Sequence, residues 1–93
     1  MKHLADPVEA AAYLNSVARD GNLKFLLKAL RNVVEARGGV GALAKKTKLH
    51  RTALYKTLSD MGNPEVGTLD SILKSYGLRI GFFTQEGQQR HAA

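Results

Sequence analysis

Hydrophobic positions recur at helical spacing along most of the chain. Leu23, Leu26, Leu27, Leu30, Val33 and Val34 form the longest amphipathic stripe and predict a helix with its apolar side in the core. A spare apolar edge of that stripe would suit a contact with a second protomer or a partner protein. Ahead of it, Ala10, Tyr13, Leu14 and Val17 predict a first helix. Asp6 is its expected cap, Pro7 suits the first helical position, and Glu9 stands where a capping box places its acid. Asp20-Gly21-Asn22 ends this helix and caps the next, and Gly38-Gly39 stops the second. Two short helices then follow, over about 40–46 on Leu43 and Ala44, and over about 51–59 on Leu54 and Leu58. Thr47-Lys48-Leu49-His50 is the turn between them. Asp60-Met61-Gly62-Asn63-Pro64 reads as a loop, because glycine and the residue before proline both resist helix. A fifth helix spans about 68–76 on Leu69, Ile72, Leu73 and Tyr76, and Gly77 ends it.

Residues 78–83 change to a period of two and predict one strand. A lone strand leaves its backbone groups without partners, and no second strand is visible in the chain. The expected partner is the same strand of a second protomer, or another protein. Phe82 and Phe83 would point to opposite faces of it, one buried and the other covered by the tail or at an interface. The expected fold class is therefore all-α, with five helices and one short C-terminal β-strand. The organisation is a flexible N-terminus over 1–5, one domain over 6–83, and a loose polar tail over 84–93.

Ninety-three residues support a single core, and 44% hydrophobic with 24% charged residues is a globular balance. No apolar run approaches the roughly 20 residues of a membrane span, and no signal-peptide pattern opens the chain. The expectation is a cytoplasmic protein with no membrane partner. The absence of cysteine removes disulfides, thiolate zinc sites and cysteine nucleophiles. His3, His50 and His91 are too scattered for a metal site. Gly38-Gly39-Val40-Gly41 lacks the Lys-Ser/Thr of a phosphate-gripping loop and follows a helix, so it reads as a connector. No nucleophile-elbow serine or paired carboxylates are present. An enzyme, a metal site and a cofactor are all unexpected.

Charge adds a direction. The formal net charge is +6, which favours a polyanion such as nucleic acid or an anionic membrane. Residues 1–39 carry six Lys/Arg against four Asp/Glu, residues 40–60 five against one, and residues 61–93 three against three. The local excesses of two, four and zero recover the six, and most of it falls on the short helix pair. A lysine run alone usually marks a solvated face. Set in a helix-turn-helix pattern, it reads as a phosphate-facing surface.

The stretch VGALAKKTKLHRTALYKTLS (40–59) meets the demands of a helix-turn-helix. Ala44 is small where the second helix crosses, and Leu49 can be buried under the crossing. Leu54 and Leu58 hold the second helix inward, which leaves Arg51, Thr52, Tyr55 and Lys56 for a major groove. His50 reads as an N-cap or a phosphate contact. Tyr55 either packs on the domain or meets a thymine methyl or phosphate, and Thr52 is a base contact or simply a first-turn residue. Lys45, Lys46 and Lys48 are placed for phosphates.

At these residues the chain resembles the Cro/CI-type (XRE) regulators, through Leu43-Ala44, Leu49 and Leu54. More widely it is similar to Hig-type addiction-module antidote proteins. That likeness rests on 6–14 (DPVEAAAYL), 54–59 (LYKTLS), Gly62-Asn63-Pro64, Thr68-Leu69 and Gly77-Leu78-Arg79-Ile80, and covers about 6–82. Two residues depart from the pattern. Lys48 stands in place of the turn glycine, at a cost of up to roughly 1 kcal/mol in a left-handed turn. His50 stands in place of the capping serine, which is the better cap. The resemblance implies a lambda-repressor-like domain that forms a homodimer on palindromic operator DNA. It further implies repression of the protein's own operon and neutralisation of a RelE/ParE-like toxin. Its base-reading positions fall on Arg51, Thr52, Tyr55 and Lys56, with Arg51 suited to bidentate pairing with guanine and Lys56 to a base edge or a phosphate. Lys45, Lys46, Lys48 and His50 face the phosphates. Two other readings stay open: a stand-alone prophage-type repressor without a toxin, and a protein-interaction module that uses the C-terminal strand edge.

Overall fold

The chain builds its helices where the sequence supplies a start and a stop. A computed structural model describes residues 4–59 and 63–85. Residues 1–3, 60–62 and 86–93 lie outside the described residues, and with them His3, His91, the Asp60-Met61-Gly62 part of the loop, and most of the expected tail. Five helices form: α1 (Pro7–Ala18), α2 (Leu23–Ala36), α3 (Gly39–Thr47), α4 (Arg51–Leu58) and α5 (Val66–Ser75). Asp6 caps α1, but its carboxylate accepts from the Val8 N–H at 3.0 Å, one residue short of the capping-box position. Asn22 caps α2 by accepting from the Phe25 N–H at 3.2 Å. Gly38, at φ +106°, separates α2 from α3 with a backbone that side chains disfavour.

α2 packs against α1, α3 and α4, and α3 packs against α4 and α5. Leu30, Val33 and Val34 of α2 meet Ala10, Leu43, Leu54, Leu58, Ile72 and Tyr76 in one core, which also takes in Leu4. Leu49, Ala44, Leu69, Leu73 and Leu78 pack half-buried against it. The apolar stripe of α2 is buried from Leu27 onward, together with Ala29. Its first position is not core: Leu23 is exposed, and so is Phe25 in the same turn.

The expected C-terminal strand does not form, and among the described residues there is no strand at all. Gly77, at φ +81°, reverses the chain after α5. The Leu78 N–H donates to the Leu73 carbonyl at 2.8 Å and the Gly77 N–H to the Lys74 carbonyl at 3.0 Å, a Schellman closure. Leu78 is thereby spent as the apolar clasp of a helix end. A ladder needs a neighbouring extended chain, and among the described residues none is paired with 79–84. Both Phe82 and Phe83 are exposed, so neither is buried as the strand reading required.

The ends of α2 and α5 meet the N-terminal segment through Arg37. Its guanidinium sits 5.0 Å above the Tyr76 ring centre and donates to the Ala5 carbonyl. The Tyr76 hydroxyl is buried without a hydrogen-bond partner among the described residues. Burial pushes its phenol up to about 12, partly opposed by the positive charge of Arg37.

Candidate functional site

The α3–α4 pair owes its shape to a short turn that satisfies its own backbone. Lys48 takes the left-handed conformation, φ 62° and ψ 21°, at the end of α3. It is the one non-glycine residue with positive φ among those described. Its N–H donates to the Ala44 carbonyl at 2.8 Å. Thr47 stitches both sides of the turn: its hydroxyl donates to the Leu43 carbonyl at 2.8 Å and accepts from the Leu49 N–H at 3.3 Å. Leu49 is thus held half-buried beneath the helix pair, as its role in the turn demands.

α4 presents two unlike sides. Leu54 and Leu58 are buried, while Arg51, Thr52, Tyr55 and Lys56 are all exposed. Lys45, Lys46, Lys48 and His50 are exposed beside them on the end of α3 and the turn. Among the described residues none of these cations pairs with a carboxylate; the ion pair between Lys74 and Asp70, 3.1 Å, lies on α5. Among the described residues, positive charge is therefore concentrated on this side without an ion-pair partner.

The two ends of α4 are held differently. His50 occupies the N-cap position but makes no capping hydrogen bond, so no side chain closes the first turn. The end carries the positive pole of the helix dipole and free N–H groups, which suits an anion. At the other end the Arg31 guanidinium, from α2, donates to the Leu58 carbonyl. Ser59 closes the same turn by donating its hydroxyl to the Lys56 carbonyl at 3.0 Å. An open groove of about 580 Å³ runs between α2, α3 and α4, with Val34, Val40, Leu58 and Tyr55 in its walls. Tyr55 stands at its edge, largely in solvent.

Sequence reasoning overlooked Arg31 and read Gly41 as part of a connector, whereas α3 begins at Gly39 and takes Gly41 into its first turn. Arg31 acts across a separation of 27 residues, which no local pattern reveals. Gly41 lies in α3 opposite the Arg51 side chain, and a glycine inside a short helix was the available signal. The residues show no metal-binding constellation: among those described, no three of His, Asp or Glu gather into a group that could hold an ion. No helix among them is long and apolar enough to cross a membrane.

The class these features define is a small all-helical protein with a cationic helix pair on its surface. The chain belongs to the family described as probable addiction module antidote protein, whose model matches residues 1–84. An antidote implies a toxin that it counters. An uncharacterized protein of Haemophilus influenzae is similar as well, 32% identical over 79 residues, which are 85% of this chain and 80% of that one. No solved structure matches the chain.

Proposed function

We propose that this antidote is a sequence-specific duplex DNA-binding regulator that represses its own operon as a homodimer and also neutralises a RelE/ParE-like toxin. It acts in the cytoplasm by binding alone, without catalysis, metal or cofactor. The observation that carries the DNA reading is the uncompensated cationic side of α3, the turn and α4, fixed on a packed core by Leu43, Leu49, Leu54 and Leu58. Arg51, Thr52, Tyr55 and Lys56 enter a major groove and read bases, with Arg51 on guanine. Lys45, Lys46, Lys48 and His50, with the uncapped start of α4, take the flanking phosphates. Two such helices in a dimer read half-sites about one helical turn apart. The exposed apolar side chains Phe82, Phe83, Leu23 and Phe25 support a protein contact of different chemistry, as a toxin partner requires.

Titration of the duplex upstream of the gene in a gel-shift experiment tests this reading. Arg51→Ala should cost about 1–3 kcal/mol per half-site on the operator and far less on random DNA. An equal loss on both would reduce Arg51 to a phosphate contact. A wild-type protein with no preference for its upstream duplex would remove the regulator role altogether.

A further inference from the structure

Gly41 has no conformational reason to be glycine. It is the third residue of α3, inside a helix, where almost any other residue is favoured, and its backbone is not left-handed. What distinguishes the position is its neighbour. A Cβ at Gly41 would lie 3.2 Å from Arg51 Nη2 and 3.7 Å from Arg51 Cζ. Gly67, the glycine inside α5, would meet nothing within 4 Å. The Arg51 guanidinium is thus exposed to solvent yet rests against the bare backbone of α3.

A guanidinium reads a base edge only when its fork is aligned with two acceptors. An arginine loose in solvent must lose rotamer freedom to reach that alignment, and a floor that limits its reach reduces the loss. A methyl group at residue 41 displaces Nη2 by a few tenths of an ångström, and a larger side chain occupies the space. We propose that Gly41 is a positioning residue: by carrying no side chain it fixes the reach of Arg51, and so sets the base that Arg51 selects in the operator. This inference rests on the DNA-binding reading above.

The test uses Gly41→Ala and Gly41→Leu in the full chain, with three readouts. The Arg51 side-chain Nε–H signal in the nitrogen–proton NMR spectrum, identified by its loss in Arg51→Lys, should move in Gly41→Ala and move further in Gly41→Leu. The melting temperature of Gly41→Ala should be equal or higher, because alanine favours the helix. Operator affinity should fall about tenfold in Gly41→Leu, with random-duplex affinity within about twofold of wild type. Gly41→Leu added to Arg51→Ala should have no further effect, since the two residues act through one contact. An Arg51 signal that stays in place, an equal loss on random DNA, or an additive double variant overturns the proposal. A shifted Arg51 signal in a protein whose wild type cannot tell operator from random DNA overturns the regulator reading and the selection claim with it. The moved signal separates that result from failure of the Gly41 contact.

Discussion

Two regions of this surface are made from opposite chemistry. The outer side of α3 and α4 exposes Lys45, Lys46, Lys48, Arg51, Tyr55 and Lys56 over a filled core, into which Leu43, Leu54 and Leu58 point. The segment after α5 exposes Ile80, Phe82 and Phe83, with Arg79 as its only cation in 78–85. Contacts made by the first are weakened by salt, because bound counterions must be displaced. Contacts made by the second are not, because burial of apolar surface is insensitive to screening or strengthened by strongly hydrated salts. The partners proposed for the two surfaces are therefore told apart by ionic strength alone.

The largest expected effect uses that difference directly. In the proposed dimer, three lysines per protomer assigned to phosphates make six, so operator affinity should drop about a thousandfold between 50 and 200 mM salt. Toxin affinity over the same range, measured by calorimetry, should change less than tenfold. A DNA titration flat in salt would contradict the electrostatic reading of the helix pair.

Next comes a contrast in what each apolar residue holds. Leu54 is fully buried under α4, and Leu54→Ala should cost 2–5 kcal/mol of unfolding free energy, about the whole reserve of many small domains. Phe82 is 94% exposed, and Phe82→Ala should change stability by less than about 0.5 kcal/mol. Urea unfolding of both variants checks the pair. A large loss from Phe82→Ala would mean that 79–84 is packed in solution.

Lys48→Gly should act on the two properties in opposite senses. Relief of the left-handed lysine should add up to about 1 kcal/mol, seen as a melting temperature higher by several degrees. Loss of one charge per protomer should make the salt dependence of DNA binding shallower by about two in a dimer. Unchanged salt dependence would take Lys48 off the phosphates.

The smallest effect lies away from both surfaces. Tyr76 in the folded chain holds its proton up to about pH 12, against about 10 when unfolded. A raised folded value means that stability is intact below pH 10 and is lost as pH rises from 10 towards 12. Tyr76→Phe removes a buried hydroxyl that has no partner among the described residues and keeps the ring under Arg37. Its stability at neutral pH should be equal or slightly higher, within about 1 kcal/mol, and its melting temperature should fall less between pH 10 and 12 than that of wild type.

The helices were legible because periodicity located all five, with side-chain caps at the starts of α1 and α2 and glycine stops after α2 and α5. Asp6, Asn22, Gly38 and Gly77 all act at helix ends as their chemistry suggests. α5 begins at Val66, earlier than the apolar spacing alone implied, because the first turn needs no buried residue. Alternation over 78–83 was real but insufficient: period two says what a strand would bury, and not whether a neighbour exists to pair with it. At the candidate site the exposed cations could be read from the sequence, since Leu54 and Leu58 fix which side of α4 faces out. The supports behind them could not, because Arg31 reaches the end of α4 from a helix far away in sequence.

That last contact has a mechanical meaning. Leu54 and Leu58 seat α4 in the core, and a side chain of α2 also grips its last turn at the Leu58 carbonyl. The rear of α4 is therefore tied to α2 by a polar contact as well as by apolar packing, and Arg31→Ala would return the Leu58 carbonyl to water.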